Sequence, residues 1–173
     1  LEADKLAPSD LKTDRTNLIS SLAAIQLGRQ ENKRYNAIRL VLPLNRSLEQ
    51  KKNALQKALN LYGRAASYGI PETATEATTS IADIYYSFSK ALLDSERPKN
   101  LNKAELEQYK ILLEDQAFPF EDNAIKFYEK NLSYTKQGIS NEWITKSLSQ
   151  LKILFPARYN RPVLIEPYVN VLH

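Results

Sequence analysis

The sequence predicts an all-helical protein built from antiparallel helical hairpins that stack on one another. Apolar residues recur at three- and four-residue steps along most of the chain, capping residues precede these stretches, and strand signals are scarce. The longest stretch continues through Pro119, and its repeating face comprises Leu106, Tyr109, Leu113, Ala117, Phe120, Ala124, Phe127 and Asn131. A period that survives on both sides of a helix breaker predicts one long kinked helix, or two helices stacked nearly end to end.

Length and composition set the outer limits. A chain of 173 residues with 43% hydrophobic content can bury one sizeable core or two small ones. The mean hydropathy is -0.46 and no apolar run approaches the roughly 20 residues that cross a bilayer, so we expect no transmembrane segment. The chain begins at Leu1 and contains no Met. We therefore expect a processed protein or a fragment, and an upstream signal peptide or membrane anchor stays open.

The first third of the chain predicts two helices. Ser9 or Asp10 is expected to cap the first helix, which ends near Gly28 and has the apolar positions Leu11, Leu18, Leu22 and Ile25. A shorter helix is expected to follow and to stop before Pro43, with the apolar or aromatic positions Tyr35, Ala37, Ile38, Val41 and Leu42.

Two further helices are predicted in the middle of the chain. Ser47 with Gln50 forms a capping box for a helix that ends at Gly69, and its stripe comprises Leu48, Leu55, Leu59, Tyr62 and Ala66. Pro71 suits the first turn of the next helix, whose stripe comprises Ala74, Ala77, Ile81, Ile84, Phe88 and Leu92.

The last part of the chain predicts the long element, one more helix and a tail. A loop at 97–100 and a capping box of Asn102 with Glu105 precede the long element, which ends at Gly138. Ser140 is expected to cap a final helix that carries Trp143, Ile144, Leu148, Leu151 and Leu154. Three prolines make the tail extended, so it must lie on the domain surface or reach a partner. We therefore divide the chain into a helical domain, 1–155, and a tail, 156–173.

Several segments resemble a known family. Residues 35–38, Tyr-Asn-Ala-Ile, resemble the opening of the second helix of a degenerate tetratricopeptide repeat. A larger part of the chain is similar to the C-terminal region of bacterial tetratricopeptide-repeat proteins associated with TonB- and ExbB/ExbD-type energy-transducing systems and with gliding-motility machines. The segments that carry this similarity are 97–101, 107–125, 129–131, Trp143 and 156–159.

The resemblance implies an irregular tetratricopeptide-like array that serves as a periplasmic or envelope-associated adaptor, with no catalytic residues to carry over. The first half of the chain lacks most of the Trp, Gly and Pro positions of a full repeat, so a short irregular stack is expected rather than a regular superhelix. The residues themselves leave a cytoplasmic location open, because a chain without Cys suits either compartment.

The residue inventory predicts neither an enzyme nor a metal or cofactor site. The single His is His173, so neither a Ser-His-Asp triad nor a His-ligated metal site can be assembled. Glu107, Glu114 and Glu121 share one helical face, which is typical of a solvated acidic surface. The four Gly residues are isolated, so a Gly-rich phosphate loop is absent from the sequence.

Charge leaves two classes of partner open. The formal net charge is +4, and basic residues gather at Arg29, Lys33, Arg34, Arg39, Arg46, Lys51, Lys52 and Lys57. A basic helical module that binds nucleic acid or another polyanion is therefore the alternative function. A balance of 24 basic to 20 acidic residues is mild for that purpose, so we favour a protein partner, and a homo-oligomer is also compatible.

Aromatic residues supply the candidate partner-binding positions. Tyr85 and Tyr86 are adjacent on one predicted helix and point about 100° apart, so at least one should lie near the surface or in a groove. Tyr159 lies between Arg158 and Arg161, and such amphipathic side chains are favoured at interfaces. The alternative for Tyr159 is that the tail folds back and this ring packs on the last helix pair.

Overall fold

The computed structural model describes residues 13–160 as an all-helical fold, as predicted, and this part of the chain contains no strand. Its six α-helices are α1 (Asp14–Ala37), α2 (Leu44–Ser67), α3 (Pro71–Leu93), α4 (Lys103–Leu132), α5 (Glu142–Leu154) and α6 (Pro156–Tyr159). A 3-10 helix, Ser133–Gln137, follows α4 directly. Among the helices of residues 13–160, none has both the length and the apolar character needed to span a membrane.

Consecutive helices pack as antiparallel neighbours, and α3 lies at the centre. It packs most extensively against α4, then against α2, and more lightly against α5 and α1. Residues Thr73 to Thr79 of α3 are all buried, and all of them except Glu76 have small side chains that let neighbouring helices approach closely. The threonine hydroxyls are satisfied locally: Thr78 and Thr79 each donate to the backbone carbonyl four residues earlier.

Two apolar clusters hold the helices together. The larger cluster contains residues of the four helices α1, α2, α3 and α4, and is centred on the fully buried Tyr35, Tyr62 and Phe88. The smaller cluster lies between α3, α4 and α5, and consists of Ala82, Ala124, Tyr128 and Leu151. The predicted stripe of α3 is confirmed, since all six of its members are buried.

The long stripe through Pro119 lies on a single helix. Leu113, Ala117, Ala124 and Asn131 are buried and the other four members of the stripe are half-buried. Pro119 is exposed and α4 continues through it, so the alternative of two stacked helices is wrong. Asn102 and Glu105 form the predicted capping box, with reciprocal bonds of 3.0 and 2.8 Å.

A buried polar network fixes α5 against α3 and α4. The side-chain amide of Asn131 donates to Thr79 Oγ1 at 2.8 Å and to Ser147 Oγ at 2.9 Å. Asn141, at the start of α5, donates to Thr75 Oγ1 at 2.8 Å. Buried polar groups need such partners, so these bonds select one placement of α5 on the bundle.

The predicted boundaries in the first third of the chain are wrong. Helix α1 does not end near Gly28 but continues to Ala37, because Gly28 serves a close approach to the ring of Tyr62 rather than termination. Its cap is Thr13, and the proposed caps Ser9 and Asp10 lie outside the described residues. Two predicted core positions, Leu18 and Leu22, are 41% and 49% exposed. The predicted short helix is the end of α1 followed by a non-helical connection, 38–43.

Three other local predictions are corrected by hydrogen bonding. Ser47 lies inside α2, which begins at Leu44, and its hydroxyl bonds to Val41 instead of capping the helix. Asn141, not Ser140, caps α5, because its side-chain oxygen accepts from two backbone amides of the first turn. The start of the tail forms the single turn α6 rather than an extended segment, and residues 161–173 lie outside the described part.

Candidate binding groove

An open apolar groove lies between the start of α2 and the first half of α4. Its volume is about 560 Å³. The connection before α2 and the end of α3 complete it, together with Pro98 of the loop before α4. Its apolar and aromatic lining consists of Leu42, Pro43, Leu44, Leu48, Leu92, Pro98, Tyr109, Leu112, Leu113 and Phe120, and its polar lining of Asn45, Lys52 and Gln116.

The first wall of the groove is a non-helical segment held in place by side chains. Ser47 Oγ donates to the carbonyl of Val41 at 2.7 Å and accepts from its amide at 3.1 Å. The amide of Leu42 donates to Glu96 Oε2 at 3.0 Å, which joins this segment to the loop before α4. These bonds fix the position of Leu42 and Pro43 at the mouth of the groove.

The second wall is α4, which three interactions position. The capping box at Asn102 fixes the start of the helix. Phe120 packs against Phe88 of α3 with ring centroids 4.4 Å apart. Arg97 donates to the carbonyls of Leu93 and Ser95 at the end of α3, and its guanidinium lies 5.8 Å from the centre of the Tyr109 ring. One wall of the groove is therefore tied to the loop between α3 and α4, and the other wall is tied to α3.

Apolar side chains remain exposed at the rim above a buried floor. Leu92 and Leu113 form the floor and are almost fully buried, whereas Leu42 and Leu112 are 38% and 55% exposed. Lys52 is exposed at the edge, and no carboxylate of the described residues forms an ion pair with its ammonium in the structure. Such a surface can bury apolar side chains and meet one negative charge.

Neither Tyr85 nor Tyr86 lines the groove, but Tyr85 lines a separate cavity of about 330 Å³ between α2, α3 and α4. Tyr85 stacks on Phe127, with ring centroids 5.7 Å apart, and burial raises the pKa of its hydroxyl. Tyr86 is half-buried against the smaller cluster, and the Lys90 ammonium lies 5.4 Å from its ring centre.

Arg158 and Tyr159 both bind Glu129 of α4. Arg158 Nη1 lies 2.8 Å from Glu129 Oε1, and the Tyr159 hydroxyl donates to the same oxygen at 2.7 Å. Burial raises the pKa of Tyr159, and the bond to Glu129 adds to this effect. Tyr159 packs on the smaller cluster, as Tyr85 and Tyr86 do, so the structure brings these three rings to one region. Arg161 lies outside the described residues.

One wall of the groove has a partial signal in the sequence. Leu112 stands beside the stripe residue Leu113, so its position off the buried face could have marked it as exposed. The other wall had no such signal, because the connection 38–43 looked like a helix. Groove residues come from four separated parts of the chain, and only the folded structure shows that they meet.

Part of the predicted basic cluster interacts with groups of the protein itself. Arg29 pairs with Glu76 of α3 at 2.6 Å, and Arg34 pairs with Glu31 of its own helix. Lys51 is 5% exposed and donates to backbone carbonyls. Three of the eight basic side chains are therefore engaged within the protein, which leaves a weaker positive surface for a polyanion.

Comparisons with known proteins give no further assignment. The chain matches no protein-family model, no curated protein and no solved structure. Within residues 13–160, no three His, Cys, Asp or Glu side chains are grouped so as to hold a metal ion. The fold and the cavity thus define an all-helical protein with an open apolar groove.

Proposed function

We propose that this protein is a non-enzymatic adaptor that binds an apolar segment of a partner protein in the groove between α2 and α4. The observation that carries the proposal is the pair Leu42 and Leu112, which stand exposed on opposite walls above a buried apolar floor. Fully burying a leucine stabilises a complex by about 1.5–3 kcal/mol, so these two half-exposed side chains supply about 2 kcal/mol together.

The partner segment is an amphipathic helix with apolar side chains on one face and an acidic residue beside them. An α-helix laid between two helices presents residues at three- and four-residue steps, which fits a groove with apolar walls. An acidic side chain would meet the Lys52 ammonium at the edge. Gln116 and Asn45 supply amide groups for hydrogen bonds at the rim.

The setting that we propose comes from the family resemblance. The segments within 97–159 that resemble envelope tetratricopeptide-repeat proteins suggest a periplasmic or envelope-associated scaffold of a TonB-type energy-transducing system. In this proposal the antiparallel helices form an irregular tetratricopeptide-like stack, and a bend of α4 at Pro119 lets both halves of its stripe follow α3. The antiparallel contacts and the uninterrupted stripe support it.

Capture by matched variants tests the proposed function. The wild-type protein, Leu112→Ser and Ile153→Ser are immobilised and exposed to the same bacterial envelope extract. Ile153 is 65% exposed on α5, so its substitution removes a comparable apolar side chain outside the groove. We expect one specific protein to be retained by the wild type and by Ile153→Ser, and to be lost with Leu112→Ser.

Two results would count against the adaptor. Equal retention by both variants would show that the groove is not the binding surface, and retention of nothing would leave the adaptor without a partner. Titration with duplex and single-stranded nucleic acid at two salt concentrations addresses the alternative. Binding at low salt that falls steeply with added salt would favour a polyanion-binding module.

A further inference from the structure

A second apolar surface lies on the outer face of α4 and turns away from the groove. Ile111, Phe118 and Ile125 are spaced seven residues apart, which places them on one side of the helix. Phe118 is 70% exposed and Ile111 is 49% exposed, whereas Ile125 is half-buried against the smaller cluster. We name these three residues the outer stripe. The outer stripe is packed at Ile125 and exposed at Phe118 and Ile111, which lie nearer the start of α4.

The chain is anchored beside the packed end of this stripe. Glu129 follows Ile125 by four residues and therefore lies on the same side of α4. Its carboxylate holds both Arg158, at 2.8 Å, and Tyr159, at 2.7 Å. The polypeptide thus reaches Asn160 next to the outer stripe, and residues 161–173 continue from that point.

We propose that residues 161–172 of the same chain bind along the outer stripe and cover Phe118 and Ile111. Alternate residues of this segment, namely Val163, Ile165, Val169 and Val171, are apolar, so an extended segment would present them on one side. The other side of that pattern carries Leu164, Tyr168 and Leu172 as well as Glu166 and Asn170. The segment is therefore apolar along most of its length, and binding on the outer stripe would remove apolar surface of both from water.

The reach of the segment that follows Asn160 matches the distance along α4 from Glu129 to the residues of the outer stripe. From Glu129 to Phe118 the helix spans about 16 Å, and from Glu129 to Ile111 about 27 Å, at 1.5 Å per residue. An extended chain covers about 17 Å from Asn160 to Ile165 and about 30 Å from Asn160 to Val169, at roughly 3.4 Å per residue. Ile165 therefore reaches Phe118, and Val169 reaches Ile111.

Charge favours the same placement. Acidic side chains flank the outer stripe at Glu114, Asp115, Glu121 and Asp122, whereas the segment enters with Arg161. Asp122 pairs with Lys126 at 2.6 Å, so Glu121 is the carboxylate that Arg161 meets first. An arginine beside an acidic face is attracted to it, and the attraction orients the start of the segment.

Disulfide trapping in the full chain tests the proposal, because the sequence contains no Cys of its own. One protein carries Phe118→Cys with Ile165→Cys, and the control carries Gln30→Cys with Ile165→Cys. Gln30 is exposed on α1, and Phe118 is exposed on α4, so neither substitution opens the core. Under the same oxidant at micromolar protein, we expect the intramolecular disulfide at Phe118→Cys to form at least about tenfold faster, because the local concentration of the second thiol is higher.

Intact-mass spectrometry distinguishes the outcomes. Equal rates for the two pairs would overturn the proposal, since they would show that the segment visits both surfaces alike. Disulfide-linked dimers in place of cross-linked monomers would also overturn it, and would assign the outer stripe to a second copy of the chain. Faster digestion by chymotrypsin at Tyr168 in a Phe118→Ser variant than in the wild type would support it independently.

Discussion

The ammonium of Lys51 lies 4.0 Å from the centre of the Tyr35 ring and donates a hydrogen bond of 3.1 Å to the Tyr35 carbonyl oxygen. It also donates to the carbonyl of Ile38 at 2.8 Å. Both carbonyls lie at the C-terminal end of α1. The last carbonyls of a helix have no backbone N–H of the same helix to bond with, and the negative end of the helix dipole is located there. A side chain of α2 thus caps α1, although burial lowers the pKa of Lys51.

Replacing Lys51 with Met should destabilise the protein by about 2–4 kcal/mol, because two buried carbonyls lose their charged donor. Urea unfolding measures the change. The matched control is Lys57→Met, which alters an exposed lysine of the same helix and should change the free energy of unfolding by less than about 0.5 kcal/mol. Equal stability of the two variants would show that the cap contributes nothing.

Tyr35 should make stability depend on alkaline pH. Burial raises its pKa to about 12, against a smaller opposing effect of the hydrogen bond with Ser87. In the unfolded chain the phenol ionises near pH 10, so its contribution is full below pH 10 and is lost as the pH rises to about 12. The neutral form is the one that the fold accommodates.

The Tyr35→Phe variant isolates this contribution. Between pH 10 and 12 its free energy of unfolding should fall less steeply than that of the wild type, by up to about 1.4 kcal/mol per pH unit. The other buried tyrosines also make stability fall as the pH rises, whereas Lys51, whose pKa is lowered, makes it rise. These groups are present in both the wild type and the variant, so the comparison isolates Tyr35. Urea unfolding at several pH values gives the two slopes, and parallel slopes would contradict the prediction.

Gly28 and Gly63 should respond in opposite directions to substitution by Ala. A methyl group at Gly28 would stand 2.9 Å from Cε1 of the fully buried Tyr62, so the ring must shift. We expect a net loss of about 1–2 kcal/mol, because overpacking outweighs the gain in helix propensity. A methyl group at Gly63 would have no atom within 4 Å apart from the neighbouring backbone of its own helix. Gly63→Ala should therefore stabilise the protein by about 0.5–1 kcal/mol through its higher helix propensity. Thermal unfolding of both variants decides, and a stabilising Gly28→Ala would show that Tyr62 moves without cost.

The sequence was sufficient for the class of fold and for the elements with strong periodicity. The predicted apolar stripes of α3 and α4 are confirmed, because each of these helices has one continuous face that is buried or half-buried. Gly28 shows why the boundaries of α1 were wrong: glycine is equally suited to ending a helix and to admitting a ring from a neighbouring helix. Local sequence cannot distinguish these two roles, since the ring belongs to α2.

The same limit applies to the candidate residues. Adjacency on one helix makes Tyr85 and Tyr86 candidates from the sequence, but their packing on α4 depends on partners about 40 residues away. Ser47 resembled a helix cap because its spacing to Gln50 is correct, but its hydroxyl bonds to the preceding connection. A hydrogen bond to a residue of the connection is invisible to periodicity, and it is this bond that shapes one wall of the groove.

Replacing Pro119 with Ala should stabilise the protein. Proline lacks the amide hydrogen that would donate to the carbonyl of Asp115, and its ring is exposed, so little packing is lost with it. We expect a gain of about 1–2 kcal/mol, which raises the melting temperature by roughly 2–8 °C for a chain of this size. Because we propose that α4 bends at Pro119, spin labels at two introduced cysteines, in place of Lys103 and Lys130, should also lie farther apart in the variant than in the wild type. A lower melting temperature would contradict this expectation, and would mean that the packing of α4 on α3 lost with the proposed bend outweighs the hydrogen bond gained at the Asp115 carbonyl.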